Sequence, residues 1–327
     1  MPPELVLEQG AAIPRAWQAA LIRLAAVAAA LFALYFADWA EMAGLWWNGA
    51  AFNHILVVPA IVAWLVAIRA PQLLRLTPET WWPGLALFAL AAVGWVLGAG
   101  TDIDVARHAG VVAMLAASVV TVLGVRVATG LAFPLGYLAF LVPFGDEIVP
   151  PMQALTAKMV VALTEWSGIP VHSDGIMIDT PAGLFRVAEA CAGVTFLVAM
   201  IAFGALAAHL CFRSWRRRAA FLALCVVVPV LANAVRAWAT IFAAQYIGAE
   251  RAAGFDHVVY GWVFFALVVA LVLALSWRFF DRRADDPLID AERIAASPRL
   301  ARLSALRISP AAALAAIAVL ALVARAL

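Results

Sequence analysis

The sequence predicts an all-α polytopic integral membrane protein of about nine transmembrane helices (8–9), with a small β-hairpin in one long loop. Two observations lead to this class. The 327 residues are 66% hydrophobic and only 13% charged, with a mean hydropathy of +0.99, whereas soluble domains carry roughly 45–50% apolar and about 25% charged residues. The apolar residues also fall in long runs, and a membrane-spanning helix needs about 20 such residues in succession.

Nine apolar segments approach or reach the length of a membrane-spanning helix. The predicted spans are residues 17–37, 51–68, 83–99, 105–123, 129–144, 194–212, 219–241, 258–277 and 308–325. Several Trp residues fall near the ends of these spans, where aromatic side chains anchor helices at the membrane surface. The preceding residues, 1–16, are polar and lack the apolar segment of a cleavable signal peptide, so we expect a retained N-terminal tail.

The distribution of Arg predicts the orientation of the spans, because cytoplasmic loops carry an excess of basic residues. If the spans alternate, one side of the membrane collects Arg15, Arg23, Arg69, Arg75, Arg126, Arg213, Arg216, Arg217, Arg218, Arg278, Arg282, Arg283, Arg293, Arg299, Arg302 and Arg307. The opposite loops carry mainly acidic residues. The tail at residues 1–16 is therefore predicted to be cytoplasmic, and the C-terminus to lie outside.

One long loop, residues 145–193, is predicted on the non-cytoplasmic side. Residues 152–166 have apolar side chains at helical spacing, which predicts an amphipathic helix at the membrane interface. Two short apolar stretches, 176–180 and 184–187, flank Pro181-Ala182-Gly183 and predict a β-hairpin with a three-residue turn. The second strand leads directly into Glu189-Ala190-Cys191, so we expect the hairpin to fix the position of this Cys.

The stretch at residues 281–307 is polar, with charges of both signs and two Pro residues. We interpret it as a cytoplasmic linker with an amphipathic portion. It separates the transmembrane domain, residues 17–280, from a C-terminal transmembrane helix at 308–327. We therefore expect the last helix to be an appendage.

Cys191 differs from the other Cys residues in its setting. It precedes Gly193 at the outer end of the sixth span, and a helix N-terminus favours the thiolate form of a Cys. A free Cys is usually an inert small hydrophobe, which is our interpretation of Cys211 and Cys225. The sequence has three Cys residues, and this odd number leaves at least one thiol free. The spacing of the three Cys residues is not that of a metal site. Cys191 is a candidate nucleophile.

Arg236 lies in the outer part of the seventh span. An ionisable residue within a membrane segment is costly and by default indicates a functional site. The alternative is that its long side chain reaches the nearby interface and serves only as an anchor. Asn233, one helical turn earlier, falls on the same helix face and can orient it.

His257, beside Asp256, begins the eighth span. The alternative for a His at such an interface is a polar cap without a catalytic role. No His-x-Glu-x-x-His or other metal-ligand spacing occurs, so we expect neither a metal nor a cofactor. The basic residues are divided by apolar runs, which argues against nucleic-acid binding.

The topology places Cys191, Arg236 and His257 on one side of the membrane. A thiol, a guanidinium and an imidazole are the groups that acyl transfer needs: Cys attacks a carbonyl, Arg stabilises the oxyanion and His transfers the proton. Glu189, Asn233 and Asp256 are candidate supporting residues.

In these motifs the chain resembles the exosortase/archaeosortase family, most closely its exosortase A branch, over roughly residues 45–280. The shared motifs are Cys-x-Gly at 191–193, Asn-x-x-Arg at 233–236, the run from Asp256 to Phe265, Asn53-His54 with Pro59, and Gly168-Ile169-Pro170 with Pro181-Ala182-Gly183. One departure is Ala192, where the exosortase A pattern usually has Ser. Ala keeps the small size, so we expect a modest effect.

The resemblance implies that residues 17–280 form an exosortase-like catalytic domain of a cysteine transpeptidase, with Cys191, Arg236 and His257 as catalytic residues. Its substrates would be secreted proteins with a C-terminal Pro-Glu-Pro-type (PEP-CTERM) sorting signal, a transmembrane helix and a basic tail. The acyl group would pass to an unknown acceptor. The family's link to exopolysaccharide-producing Gram-negative bacteria implies an inner-membrane protein with a periplasmic active site.

Two other function classes remain open. A transporter or scaffold of a polysaccharide-export system would carry ionisable residues along a pathway at mid-depth, whereas here they gather at span ends. A His-dependent membrane acyltransferase would use His257 and leave Cys191 dispensable.

Overall fold

The computed structural model describes residues 13–49, 51–252, 262–283 and 285–327, which are mostly helical. The helices are α1 (Arg15–Leu34), α2 (Phe36–Asn48), α3 (Val58–Ala67), α4 (Ala70–Leu73), α5 (Pro83–Gly100), α6 (Asp104–Gly130), α7 (Ala132–Tyr137), α8 (Val149–Trp166), α9 (Val194–Cys211), α10 (Trp215–Ile247), α11 (Trp262–Ser276), α12 (Ala291–Ala296), α13 (Pro298–Ser304) and α14 (Pro310–Ala326). The strands are β1 (His172–Asp174), β2 (Met177–Thr180) and β3 (Gly183–Arg186).

Five described helices are long and apolar enough to cross a membrane: α1, α5, α6, α9 and α10. The number rises to seven if two broken helix pairs, Phe36–Asn48 with Asn53–Ala67 and Ala132–Leu141 with Asp146–Trp166, each count as one span. Helices α11 and α14 are apolar but shorter. The chain is thus a helical, multi-pass membrane protein, while the expected 8–9 spans stay a prediction.

The chain divides into two compact units. The first contains described residues from 1–49, 53–143 and 287–327, and so comprises α1–α7 and α12–α14. The second contains described residues from 50–52 and 144–286, which hold α8–α11 and the sheet.

In the first unit, α5 and α6 lie in very close contact. A Cβ added at Gly98 would lie 2.6 Å from the backbone nitrogen of Arg107, and one added at Gly110 would lie 2.7 Å from the Cβ of Trp95. Small residues of this kind let the backbones of membrane helices approach each other. The Arg107 side chain at the start of α6 pairs with Glu41 at 2.6 Å.

The last helix, α14, is packed within the first unit. Its residues Ala313, Ile317 and Ala321 are buried, and the Tyr35 hydroxyl donates a hydrogen bond to the Ala321 carbonyl at 3.0 Å. The expectation that this helix is an appendage is therefore wrong. The polar connection at residues 281–307 suggested that α14 is independent of the other helices. In the structure, α12 and α13 within this connection belong to the first unit. For example, Trp81 Nε1 donates a hydrogen bond to the Leu303 carbonyl at 2.7 Å.

In the second unit, α9, α10 and α11 share a buried cluster that includes Met200, Phe221, Cys225 and Val272. A Cβ added at Gly204 would lie 2.8 Å from Cys225 Sγ. The Cys225 thiol of α10 therefore packs into the space that the missing side chain of Gly204 leaves on α9. Beyond the spans, Asp281 accepts a hydrogen bond from the Arg213 backbone N–H, and this bond lowers the pKa of its carboxyl.

The hairpin is present and is extended by one strand. Strands β2 and β3 pair antiparallel with Ile178 opposite Phe185, and β1 adds to β2 to give the order β1-β2-β3. Thr180 pairs with Gly183, so the turn is the two residues Pro181-Ala182 and not the expected three. Strand β1 was not predicted, because its residues, His172–Asp174, are all exposed and polar.

Candidate active site

Cys191 lies at the junction between the sheet and α9. The chain leaves β3 through buried Val187, forms a 3₁₀ turn over Glu189–Cys191, and enters α9 through Gly193, whose φ is +79°. That left-handed conformation favours glycine. The Cys191 side chain is half-buried and forms no disulfide. Cys191 thus precedes the N-terminus of α9, as the sequence predicts.

Asn233 on α10 connects the Cys-x-Gly and Asn-x-x-Arg motifs. Its side-chain Nδ2 donates a hydrogen bond to the Cys191 carbonyl at 2.9 Å and lies 3.5 Å from Thr156 Oγ1 on α8. Asn233 is only 1% exposed. A buried amide holding a backbone carbonyl fixes the backbone of the Cys, so we regard Asn233 as a residue that positions Cys191.

Gly193 is required for this contact as well as for its backbone conformation. A Cβ at residue 193 would lie 2.7 Å from Asn233 Cγ, far inside van der Waals contact. The two motifs are therefore complementary in shape: the glycine leaves the space that the Asn side chain occupies.

We predict that Gly193→Ala lowers the melting temperature and slows substrate cleavage about 10²-fold, the loss that a displacement of roughly 1 Å can cause. The left-handed backbone costs Ala about 1–2 kcal/mol, and the clash displaces Asn233. The matched control is Gly168→Ala, where φ is +76° but nothing lies within 4 Å of the added Cβ. Equal activity of the two variants would show that the contact between residues 193 and 233 does not matter.

Arg236 lies one turn after Asn233 on α10. Its Nη2 donates to Asn233 Oδ1 at 3.4 Å, and its guanidinium carbon is 5.9 Å from the centre of the Phe196 ring. That separation is within the range of a cation–π interaction. Asn233 thus contacts both Cys191 and Arg236. The contact with Arg236 agrees with the prediction that the two residues lie on the same face of the helix.

The Cys191 and Arg236 side chains line the same cleft, whose volume is about 80 Å³. Its apolar side includes Val160, Ile178 and Ile241, which belong to the cluster that packs the sheet against α8 and α10. The cleft is mostly apolar, and with its thiol and fixed cation it can receive part of a peptide and stabilise negative charge that develops beside the thiol.

Polar side chains of α8 and α10 anchor the sheet beside this cleft. Gln153 Nε2 donates to the Val187 carbonyl at 2.8 Å, and Gln245 Nε2 donates to Thr180 Oγ1 at 3.3 Å. Gln153 and Thr156 are buried, whereas Leu155, one of the apolar residues of the predicted amphipathic helix, is 42% exposed. In a membrane protein the outer surface is itself apolar, so polarity no longer marks the outside.

Phe196 is a further residue that sequence reasoning missed. Its ring stacks on Phe265 of α11 at 6.0 Å and meets Phe264 edge-on at 5.9 Å, in addition to its contact with Arg236. Position 196 lies in the first turn of α9, three residues after Gly193. The sequence signal for Phe196 was an aromatic residue placed three residues after the Cys-x-Gly motif.

The remaining candidate residues are placed as follows. Glu189 is exposed, and its carboxylate forms no ion pair with residues that the structure describes. His257 and Asp256 lie outside the described residues. Within residues 13–49, 51–252, 262–283 and 285–327, no three His, Cys, Asp or Glu side chains form a group that could hold a metal ion.

Comparison with known proteins identifies the family. No curated protein and no solved structure matches the chain. The family model described as transmembrane exosortase (Exosortase_EpsH) matches residues 46–274, which include both motifs joined by Asn233 and all of α5 through α10. Exosortases are membrane cysteine peptidases or transpeptidases that sort secreted proteins. Because the match covers most of the sequence, this chain belongs to the transmembrane exosortase family.

Proposed function

We propose that this protein is a cysteine transpeptidase that cleaves C-terminal sorting signals of secreted proteins, with Cys191, Arg236 and His257 as its catalytic residues. One observation supports the assignment above all others: Cys191 and Arg236 line one cleft and are both contacted by buried Asn233. This arrangement favours the catalytic interpretation of Arg236 over a surface anchor, because Arg236 lines the same cleft as Cys191.

In the proposed reaction, Cys191 Sγ attacks the carbonyl carbon of the scissile peptide bond as a thiolate. Arg236 stabilises the oxyanion of the tetrahedral intermediate, and His257, in its protonated form, gives its proton to the leaving amine. The C–N bond breaks and a thioester to Cys191 remains. An acceptor nucleophile then loses its proton to His257, attacks the thioester and releases the Cys191 thiolate.

His257 enters the proposal from the sequence motif. Helix α11 begins at Trp262, five residues later, and packs its Phe264 and Phe265 against Phe196, the ring next to Arg236. Five residues reach at most about 18 Å when fully extended. This reach is compatible with the proposal, which assigns His257 and its sequence neighbour Asp256 to the same site.

We further infer that the substrates carry a Pro-Glu-Pro-type motif, a transmembrane helix and a basic tail, that the protein serves exopolysaccharide-producing cells, and that it resides in the inner membrane. The test is co-expression with a tagged substrate bearing such a C-terminal tail. We expect a shortened substrate only when the enzyme is present and the tail is intact. An unchanged substrate mass in the presence of correctly inserted enzyme would contradict the proposal.

We also propose nine spans with the N-terminus in the cytoplasm and the active site facing the periplasm. The Arg distribution supports this orientation. A reporter that is active only in the periplasm should be active when fused after Gly183 and silent when fused after Arg217. An active fusion at Arg217 would reverse the orientation and place Cys191 on the cytoplasmic side.

A further inference from the structure

Arg186 is a second cation at the cleft of Cys191 and Arg236, and the proposed reaction does not use it. It is the last residue of β3, it is exposed, and it lines the cleft. No ion pair joins Arg186 to any residue that the structure describes. Of the described residues lining the cleft, two are Arg and none is Asp or Glu. The cleft is therefore complementary to negative charge.

Arg236 is not available for the role that remains. Its guanidinium contacts Asn233 Oδ1 and the Phe196 ring, and both contacts fix its position. Arg186 lines the same cleft from β3 and not from α10, and its long, exposed side chain can follow a ligand. A carboxylate that reached the cleft would find in Arg186 a partner for two parallel hydrogen bonds.

The strand that carries Arg186 is also an edge strand. The sheet order is β1-β2-β3, and the Val187 N–H donates to the Ile176 carbonyl at 3.0 Å. Antiparallel ladders alternate, so the backbone groups of residues 184 and 186 point away from β2. Within the described chain these backbone groups have no hydrogen-bond partner. Such an edge can accept an extended peptide as an added strand.

We propose that Arg186 is a specificity-determining residue, which binds an acidic side chain of a substrate segment that runs extended along the edge of β3 toward Cys191. This inference rests on the proposed function, since it assigns a subsite within the same cleft. The acidic residue of the Pro-Glu-Pro motif is the carboxylate that the proposed substrates offer. Arg186 does not touch the scissile bond in this scheme and is not a catalytic residue.

The test measures kcat/KM of the full-length enzyme for three tail peptides that differ only at the motif position, which is Glu, Gln or Arg. The wild-type enzyme should prefer Glu over Gln about tenfold, the ratio expected for roughly 1.4 kcal/mol, and mainly through KM. Arg186→Gln should reduce this ratio to near one, Arg186→Lys should restore part of it, and Arg186→Glu should favour the Arg peptide. Arg278→Gln, an exposed Arg outside the cleft, should keep the wild-type ratio.

Two results would overturn the inference, and they are distinguishable. If the wild-type enzyme cleaves the Glu and Gln peptides equally, or if Arg186→Gln keeps the preference for Glu, then Arg186 does not read the acidic residue, while the proposed function stands. If the wild-type enzyme cleaves none of the three peptides, the proposed function itself fails. A reversed preference of Arg186→Glu for the Arg peptide would establish the direct contact.

Discussion

Replacing Cys191 with Ser is expected to reduce cleavage of a sorting-signal substrate by about 10³-fold or more, the scale on which loss of a nucleophile acts in other covalent enzymes. A Ser hydroxyl attacks a carbonyl only when a dedicated base removes its proton, whereas a thiolate is already nucleophilic. The position of the backbone is set by Asn233 and Gly193 and not by the thiol. The variant should therefore fold and insert normally.

The controls for this prediction are the other two thiols. Cys211→Ala with Cys225→Ala should retain activity, with some loss of stability because Cys225 is fully buried against Gly204. A membrane-impermeant thiol reagent added from the periplasmic side should inactivate the wild-type enzyme by modifying Cys191. Near-normal cleavage by Cys191→Ser would instead favour the acyltransferase that depends on His257.

Replacing Arg236 with Lys is expected to slow cleavage about 10²–10³-fold, the usual effect of losing one donor to an oxyanion. Lys keeps the charge, but it lacks the planar fork that can contact Asn233 Oδ1 and still present N–H groups to the cleft. The contact with the Phe196 ring also favours the flat guanidinium. The loss should fall on kcat, since the oxyanion forms only in the reaction.

Arg278→Lys is the matched control, because it makes the same change on an exposed residue outside the cleft. It should leave both kcat and KM unaltered. Arg236→Lys must also be compared with the wild-type protein for its amount in the membrane and its melting temperature. Full kcat in a stable Arg236→Lys enzyme would return this residue to the role of an interfacial anchor.

The fold was predictable where local chemistry decides it. Long apolar runs identified α1, α5, α6, α9 and α10, and alternation around Pro181-Ala182 identified the hairpin. Which side chains of α8 are buried could not be predicted from their polarity. The inner face of α8 carries Gln153 and Thr156, while apolar Leu155 points outward.

The site was predictable in its residues but not in its connections. Cys191 and Arg236 stood out because each is an unusual residue type for its position. Asn233 was expected to orient the Arg, yet its hydrogen bond to the Cys191 carbonyl spans 42 residues and depends on how α9 and α10 pack. The role of Arg186 could not be predicted from the sequence. Nearly all basic residues of this chain are Arg, so an Arg in a short predicted strand does not indicate a functional site.

The interrupted first unit imposes an order on synthesis. Residues 144–286, which carry Cys191, Arg236 and the sheet, form a nearly continuous unit, whereas α14 emerges from the ribosome after this unit and adds to the unit that α1 began. The Tyr35 hydroxyl can form its hydrogen bond with the Ala321 carbonyl only after residue 321 has been synthesised. A protein truncated after residue 286 would retain every proposed catalytic residue but lack α14, so a loss of activity would be caused by incomplete assembly of the first unit and not by loss of a catalytic group.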